Sequence, residues 1–205
     1  MALPESLTYN LSPPEISFLS ENEYITILPR YSMKKIELIG EKIPTLRGMR
    51  RERVPLWVAL ILKSQDKCNI VPPSWLELDF LKMKYEEEMK LPHKFSALPW
   101  HWLEISKILL AKAPDDLADP SNKLKSIIQD LREIRLVKSR KGLKELNESN
   151  IQLDGLSFME INELRPYILK VMDKLMNLHD SISRNNVEAE TNENEYEDGE
   201  ASEDE

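Results

Sequence analysis

A single cysteine, Cys68, stands in a chain of 205 residues, with no second cysteine and no histidine at metal-ligand spacing. It can form no internal disulfide and no cysteine-based zinc site, which fits a reducing compartment. Glycine is nearly as scarce: Gly40, Gly48, Gly142, Gly155 and Gly199 lie far apart, so no loop has the fixed glycine spacing that cradles phosphates. The histidines, His93, His101 and His179, are each isolated in sequence, and no nucleophile, base and orienting group form a catalytic pattern. His101, between Trp100 and Trp102, reads as a helix-start residue packed by aromatics rather than as a base. The longest apolar stretch, from Val54 to Leu62, is far short of a membrane span, and residues 1–9 lack the cationic and apolar regions of a signal peptide. The expectation is a cytosolic or nuclear protein that is not an enzyme, with no cofactor, no metal and no membrane partner.

What is present is charge, 31% of the residues, but it is unevenly placed. The segment 183–205 holds ten carboxylates against one cation, Arg184, a net of −9 within a total of −8. Removing that segment leaves +1 for residues 1–182, so the folded part has no global field to attract nucleic acid. After Ile182 aromatic and aliphatic residues nearly vanish, so 183–205 is expected to be a disordered acidic tail, with Ser202 before Glu203-Asp204-Glu205 as a candidate phosphorylation site.

Along the chain, residues 1–15 contain Pro4, Pro13 and Pro14 without a sustained period and read as an extended arm. Two short runs, 24–28 and 35–39, have the apolar and β-branched texture of paired strands. The arginine-rich segment 41–53 reads as a surface loop. From Pro55 the pattern becomes helical: Leu56, Trp57, Leu60 and Ile61 recur at helix spacing. Pro72 and Pro73 interrupt it, Ser74 can cap a helix to about Lys90, and Pro99 can open another. A long helix is expected over 121–146. Ser157 and Glu160, with Leu156 opposite Ile161, make a capping box and staple for the last helical region, which Pro166 is expected to split. The pair Asp115–Asp116 sits among prolines and reads as a solvated loop rather than a metal site. The fold class is α+β, mainly α: arm 1–15, a small β-rich module 16–54, a helical bundle 55–182 and the tail 183–205.

Two features point to protein contact. Trp57, Trp75 and Trp100 sit at helix starts among leucines, without the interleaved arginines of a base-stacking platform, and read as core or interface anchors. On the long helix, Leu124, Ile128 and Leu131 form a seam whose continuation lands on Arg135 and Lys138, while Leu136 and Leu143 open a second stripe. Unpaired charge on such a seam is costly, so Arg135 or Lys138 is expected to meet a carboxylate or carbonyl, with a partner subunit as one source of it. Arg135, Leu136, Lys138 and Leu143 therefore join the three tryptophans as candidate interface residues. The alternative is an autonomous nucleic-acid-binding protein using the basic stretch 132–144.

The run Val54-Pro-Leu-Trp-Val-Ala-Leu-Ile-Leu-Lys63, followed by Lys67-Cys-Asn-Ile-Val-Pro-Pro-Ser-Trp-Leu76, resembles the GINS subunits of the second partner-of-Sld-Five type. Asn22-Glu-Tyr-Ile-Thr-Ile-Leu-Pro29, Ile128-Gln-Asp-Leu-Arg-Glu-Ile-Arg135 and Leu156-Ser-Phe-Met-Glu-Ile-Asn162 agree, and Phe95-Ser-Ala-Leu-Pro-Trp-His-Trp-Leu103 resembles the fungal form. The resemblance implies a β-rich B domain followed by a helical A domain, and a heterotetramer with three other GINS subunits. It further implies that this tetramer binds the Mcm ring and its DHH-family cofactor in the nucleus, forming the active replicative helicase. For this subunit itself the expectation is indirect or weak proximity to DNA. No catalytic residues are carried over. The segment 41–53 and the tail match no family pattern.

Overall fold

The computed structural model describes residues 9–38, 42–144 and 153–200. The chain divides into two units: a main body of residues 11–146 and 152–163, and a second unit built on 164–205. The first helix, α1 (Pro13–Ser20), begins inside the expected extended arm. Pro13 and Pro14 occupy its first turn, where a missing N–H costs nothing, and the Ser12 amide and hydroxyl both donate to Glu15 at 2.7 Å. Ahead of it, Leu11 is clamped by Asn162, whose carboxamide accepts from the Leu11 amide and donates to its carbonyl, both at 3.0 Å.

Strand β1 (Tyr24–Pro29) buries Ile25, Ile27 and Pro29 on alternate positions, as expected of a half-covered strand. Its neighbours differ from expectation. The pieces β2 (Ile36–Glu37) and β3 (Lys42–Ile43) pair with each other. β1 instead lies between β4 (Glu52–Pro55) and β5 (Cys68–Val71), antiparallel to both. β4 comes from the segment read as a loop, where arginine content hides a strand whose Val54 points inward and Arg53 outward. β5 lies beyond the boundary expected at 54/55, and the helix before it, α2 (Leu56–Ser64), packs Leu56, Val58, Ala59 and Leu62 into the same interior. Sheet and bundle share one hydrophobic cluster, running from Ile27, Val54 and Cys68 to Trp102, Leu109, Leu124 and Leu131. Burial, with Asp116 adding, pushes the Cys68 thiol up to about 11, so it behaves as an apolar core group.

After a single 3-10 turn at Ser74–Leu76 the bundle helices follow: α3 (Leu78–Lys90), α4 (Trp102–Lys112), a 3-10 turn at Pro114–Asp116, and α5 (Ser121–Lys144). The aspartates between α4 and α5 are not in a merely solvated loop. Asp116 accepts from the Ile70 amide at 2.7 Å and pairs with Lys63 at 2.9 Å, capping the outer edge of β5, while Asp119 accepts from the Leu78 amide at the start of α3. The last helix, α6 (Phe158–Glu200), starts at the expected capping box, where the Ser157 amide and hydroxyl donate to Glu160 at 2.7 and 2.8 Å. It is not split at Pro166: a proline removes one N–H and bends a helix without having to end it. The helix runs on to Glu200 through a stretch without an apolar stripe, where glutamate and alanine still have helix propensity, and residues 201–205 lie outside the described ones.

Gly155, just before α6, has φ of +81° and its missing Cβ would lie 3.0 Å from the Phe95 Cβ and 3.2 Å from the Phe95 carbonyl oxygen. Only glycine fits both the conformation and the space. Gly155→Ala is expected to lower unfolding stability by about 1–3 kcal/mol, measured by urea denaturation, whereas Gly142→Ala, with nothing within 4 Å, should be neutral or slightly stabilising.

Candidate interaction site and its buried ionic support

The polar end of the α5 seam is where sequence and structure meet most directly. Below Leu124, Ile128 and Leu131 the next seam position is Arg135, which is 0% exposed. Its guanidinium has five N–H donors, and five bonds satisfy them. Nε donates to Glu160 Oε1 at 2.7 Å, Nη2 to Glu160 Oε2 at 2.9 Å and to the Gly155 carbonyl at 2.6 Å. Nη1 donates to Glu88 Oε1 at 2.5 Å and to the Ser96 carbonyl at 3.2 Å. One turn on, the Lys138 ammonium donates to Glu88 Oε2, to the Leu91 carbonyl at 2.8 Å and to the Lys94 carbonyl at 3.0 Å. Both cations also lie over the Phe95 ring, at 5.0 and 5.6 Å from its centroid.

The expected carboxylate and carbonyl partners are therefore all within this chain. Arg135 reaches no outer surface, and Lys138 spends its three donors on α3 and the connector after it. Two cations against two carboxylates leave the cluster neutral. Burial alone would raise the Glu88 carboxyl, but Lys138, the Ser96 hydroxyl and amide, and the Arg135 charge together hold it below the usual range. Glu160 serves twice, as the capping-box acceptor and as the bidentate partner of Arg135. Sequence reasoning found that glutamate only in its first role. It missed Glu88, because nothing local distinguishes one glutamate of Glu86-Glu87-Glu88 from the next.

The same cluster weakens the alternative use of residues 132–144 as a nucleic-acid surface. Arg132 is engaged by Glu163 at 2.7 Å and Arg135 and Lys138 are consumed, leaving Arg140 and Lys141 as the exposed cations there among the side chains described. On the other side of α5, Leu136 and Leu143 are half-buried and Val137 is 59% exposed. Trp57 and Trp75 are half-buried at the margin of the core. Trp100 is 50% exposed and lies against Phe158 with ring centroids 5.8 Å apart. Trp102, not among the candidates, is the buried anchor. Ser202 lies outside the described residues.

The second unit carries an apolar face on α6. From Arg165 to Ile182 no described side chain is buried, yet Ile168, Val171, Leu175, Leu178 and Ile182 recur at alternating steps of three and four. Beside them Met172, Leu175, Met176 and His179 line a shallow hollow of about 240 Å³. Such spacing is the seam of a helix that packs against another helix. Among the described residues no group of three His, Cys, Asp or Glu could hold a metal ion, and no helix is long and apolar enough to cross a membrane.

The first turn of α4 buries polar groups that have no hydrogen-bond partner among the described residues: His101 Nδ1, Trp102 Nε1 and both carboxylate oxygens of Glu104. Burial, with Glu160 and Glu23 adding and Lys107 opposing, raises the Glu104 carboxyl, and burial lowers His101 against the pull of Glu23 3.9 Å away.

Two outcomes follow from these buried charges. Arg135→Met removes one partner of a buried pair and strands Glu88 and Glu160, so it should cost about 3–5 kcal/mol of unfolding stability, read from the urea midpoint. A surface substitution, Lys141→Met, should fall within about 0.5 kcal/mol. For Glu104 the folded state holds its proton more tightly than the unfolded chain, so its contribution falls as pH rises from the ordinary carboxyl range through the raised folded value. Glu104→Gln should therefore be more stable than the parent by roughly 1 kcal/mol at pH 8, with the difference shrinking towards pH 5 in paired thermal scans.

Comparison with known proteins matches both halves of the chain to family models. A PSF2 N-terminal domain covers residues 12–71 and a GINS complex protein helical bundle domain covers residues 75–179. The junction falls at Pro72-Pro73, immediately after β5. A protein of Debaryomyces hansenii named DNA replication complex GINS protein PSF2 is 75% identical over 183 residues, 89% of each chain. The proteins of that name from Candida albicans and Saccharomyces cerevisiae are 67% and 45% identical, covering 93% and 87% of this chain and 94% and 92% of their own. With both halves matched and these identities sustained over nearly its whole length, the chain belongs to the PSF2 family of GINS complex proteins.

Proposed function

We propose that this chain is a non-catalytic, structural subunit of a heterotetrameric GINS complex in the nucleus, and that it contributes to the tetramer chiefly through the apolar face of α6. The observation that carries the reading is the seam Ile168, Val171, Leu175, Leu178 and Ile182, which extends about 21 Å along the helix at 1.5 Å per residue with none of its side chains buried. An apolar stripe of that length on an isolated helix exposes surface that water disfavours, and a partner helix is the economical cover. Trp100, Val137 and the half-buried Leu136 and Leu143 offer further apolar contact on the body. The relatives' names, each a component of a DNA replication complex, support the same assignment. By the family resemblance the assembled tetramer joins the Mcm ring and its DHH-family cofactor in the replicative helicase.

Leu178→Asp places a charge in the middle of the proposed contact while leaving the body intact. Co-expressed with the three other subunits, it should lose co-purification at least tenfold, with the circular dichroism and urea midpoint of the isolated chain unchanged. Undiminished recovery of a four-chain mass would remove α6 from the interface.

A further inference from the structure

The near-neutral sum over residues 1–182 conceals a basic end of the β-sheet. Where β1 leaves the sheet and β4 and β5 enter it, three connections are laid together by backbone bonds. The Arg30 amide donates to the Lys67 carbonyl at 2.9 Å and the Met49 amide to the Pro29 carbonyl at 2.8 Å. Met33 and Leu46 exchange bonds of 2.8 and 3.0 Å, and the Gly48 amide donates to the Ser32 hydroxyl at 3.2 Å. Gly48 allows the close approach, since a Cβ there would lie 3.4 Å from the Ser32 nitrogen. Met49, with φ of 60°, shows that the turn is held by these neighbours.

This juxtaposition gathers Arg30, Lys34, Arg47, Arg50, Arg51 and Lys67, all exposed, against Glu52 and Asp66. Arg50 pairs with Glu52 at 3.6 Å, and Arg30 is oriented by the Asn69 carboxamide at 2.9 and 3.1 Å. Lys34, Arg47, Arg51 and Lys67 make no ion pair among the described residues. Set among these cations are Tyr31, 67% exposed, and Met49, 75% exposed. Unpaired arginines crowded together repel one another and lose nothing by staying in water. A polyanion spaced to meet several of them turns that repulsion into attraction and releases its own counterions.

We propose that this end of the sheet binds a single-stranded nucleic acid, with Arg47, Arg51 and Lys67 on its phosphates and Tyr31 stacked on a base. Arginine predominates over lysine, which suits the fork geometry of a phosphate. An exposed aromatic beside the cations adds the sequence-tolerant stacking typical of single-strand sites, for which an acidic peptide has no use. The proposed contact uses no residue of the α6 seam and does not rest on the reading of that seam. It also differs from the α5 stretch, where Arg135 and Lys138 are consumed inside the body and Arg132 is paired with Glu163.

The test uses the co-expressed four-subunit complex and a fluorescein-labelled 30-nucleotide oligo(dT), followed by anisotropy across a salt series. Arg47→Glu with Arg51→Glu should weaken binding by about tenfold or more. It should also reduce the slope of log affinity against log salt by about 1.4, two phosphates at about 0.7 each. Arg140→Glu with Lys141→Glu on α5 should leave both unchanged. Tyr31→Ala should weaken oligo(dT) binding about tenfold while leaving a 30-base-pair duplex unaffected. Independently of any variant, ultraviolet cross-linking of a bromodeoxyuridine oligonucleotide to the unaltered complex should label this chain at Tyr31. Parental affinity and slope in the Arg47/Arg51 variant, or cross-links confined to other sites, would overturn the proposal. So would binding of a poly-glutamate peptide, but not of oligo(dT), that is lost in the same variant, which would assign the surface to an acidic protein segment.

Discussion

The body of this protein depends on one fully buried guanidinium. Arg135 stands where four pieces of chain meet over α5: α3 through Glu88, the connector after it through Ser96, the segment before α6 through Gly155 and the first turn of α6 through Glu160. Burying a charge is affordable only when its hydrogen-bonding capacity is filled and an opposite charge lies close. Five donors meeting five acceptors, and three more from Lys138 meeting theirs, satisfy that condition with side chains and carbonyls contributed by every piece. The cost of leaving any of them unmet makes the arrangement specific. An apolar residue at 135 could fill the volume, but it would not dictate which carbonyl of the connector faces inward.

That closure divides the molecule's work. The body meets its polar demands internally: Asp116 and Asp119 finish the sheet edge and the start of α3, Asn162 clamps Leu11, and Glu160 joins the capping box to Arg135. The second unit does the reverse. Its helix offers an apolar seam with no buried member, so its stability as a packed element must come from outside itself. A chain that is self-sufficient at one end and incomplete at the other is what a subunit of an obligate assembly requires.

How much of this was legible beforehand depended on whether the information was local. The α5 seam, its turn to polar residues at Arg135 and the Ser157–Glu160 box are periodicity and capping, and they stand where expected. The same logic would have found α1, since Ser12 and Glu15 have the capping-box spacing, but two prolines obscured it. Strand pairing was not legible. β1 is paired with residues 25 to 45 positions further along the chain, and short runs such as 52–55 and 68–71 carry too few residues for a period to show. Nor could the sequence say that Glu88 rather than its two neighbours would meet Arg135, or that the first turn of α4 would bury Glu104. Those outcomes follow from packing across the bundle.

Charge shows the same distinction at larger scale. A sum of +1 over residues 1–182 correctly excludes a uniformly basic body, but electrostatic attraction is felt over about 10 Å at ordinary ionic strength, so it follows local arrangement rather than the total. On α5 three of the six cations in the basic stretch read from the sequence, Arg132, Arg135 and Lys138, are paired with Glu163, Glu160 and Glu88, because helix packing brings those carboxylates to them. At the end of the sheet the opposite happens. Turns that are distant in sequence are hydrogen-bonded together, and cations that looked dispersed within an unremarkable loop become neighbours with few carboxylates among them. Folding thus reduces the positive surface of the helix, where linear charge density suggested it, and gathers another at the end of the sheet, where only the tertiary structure could assemble it.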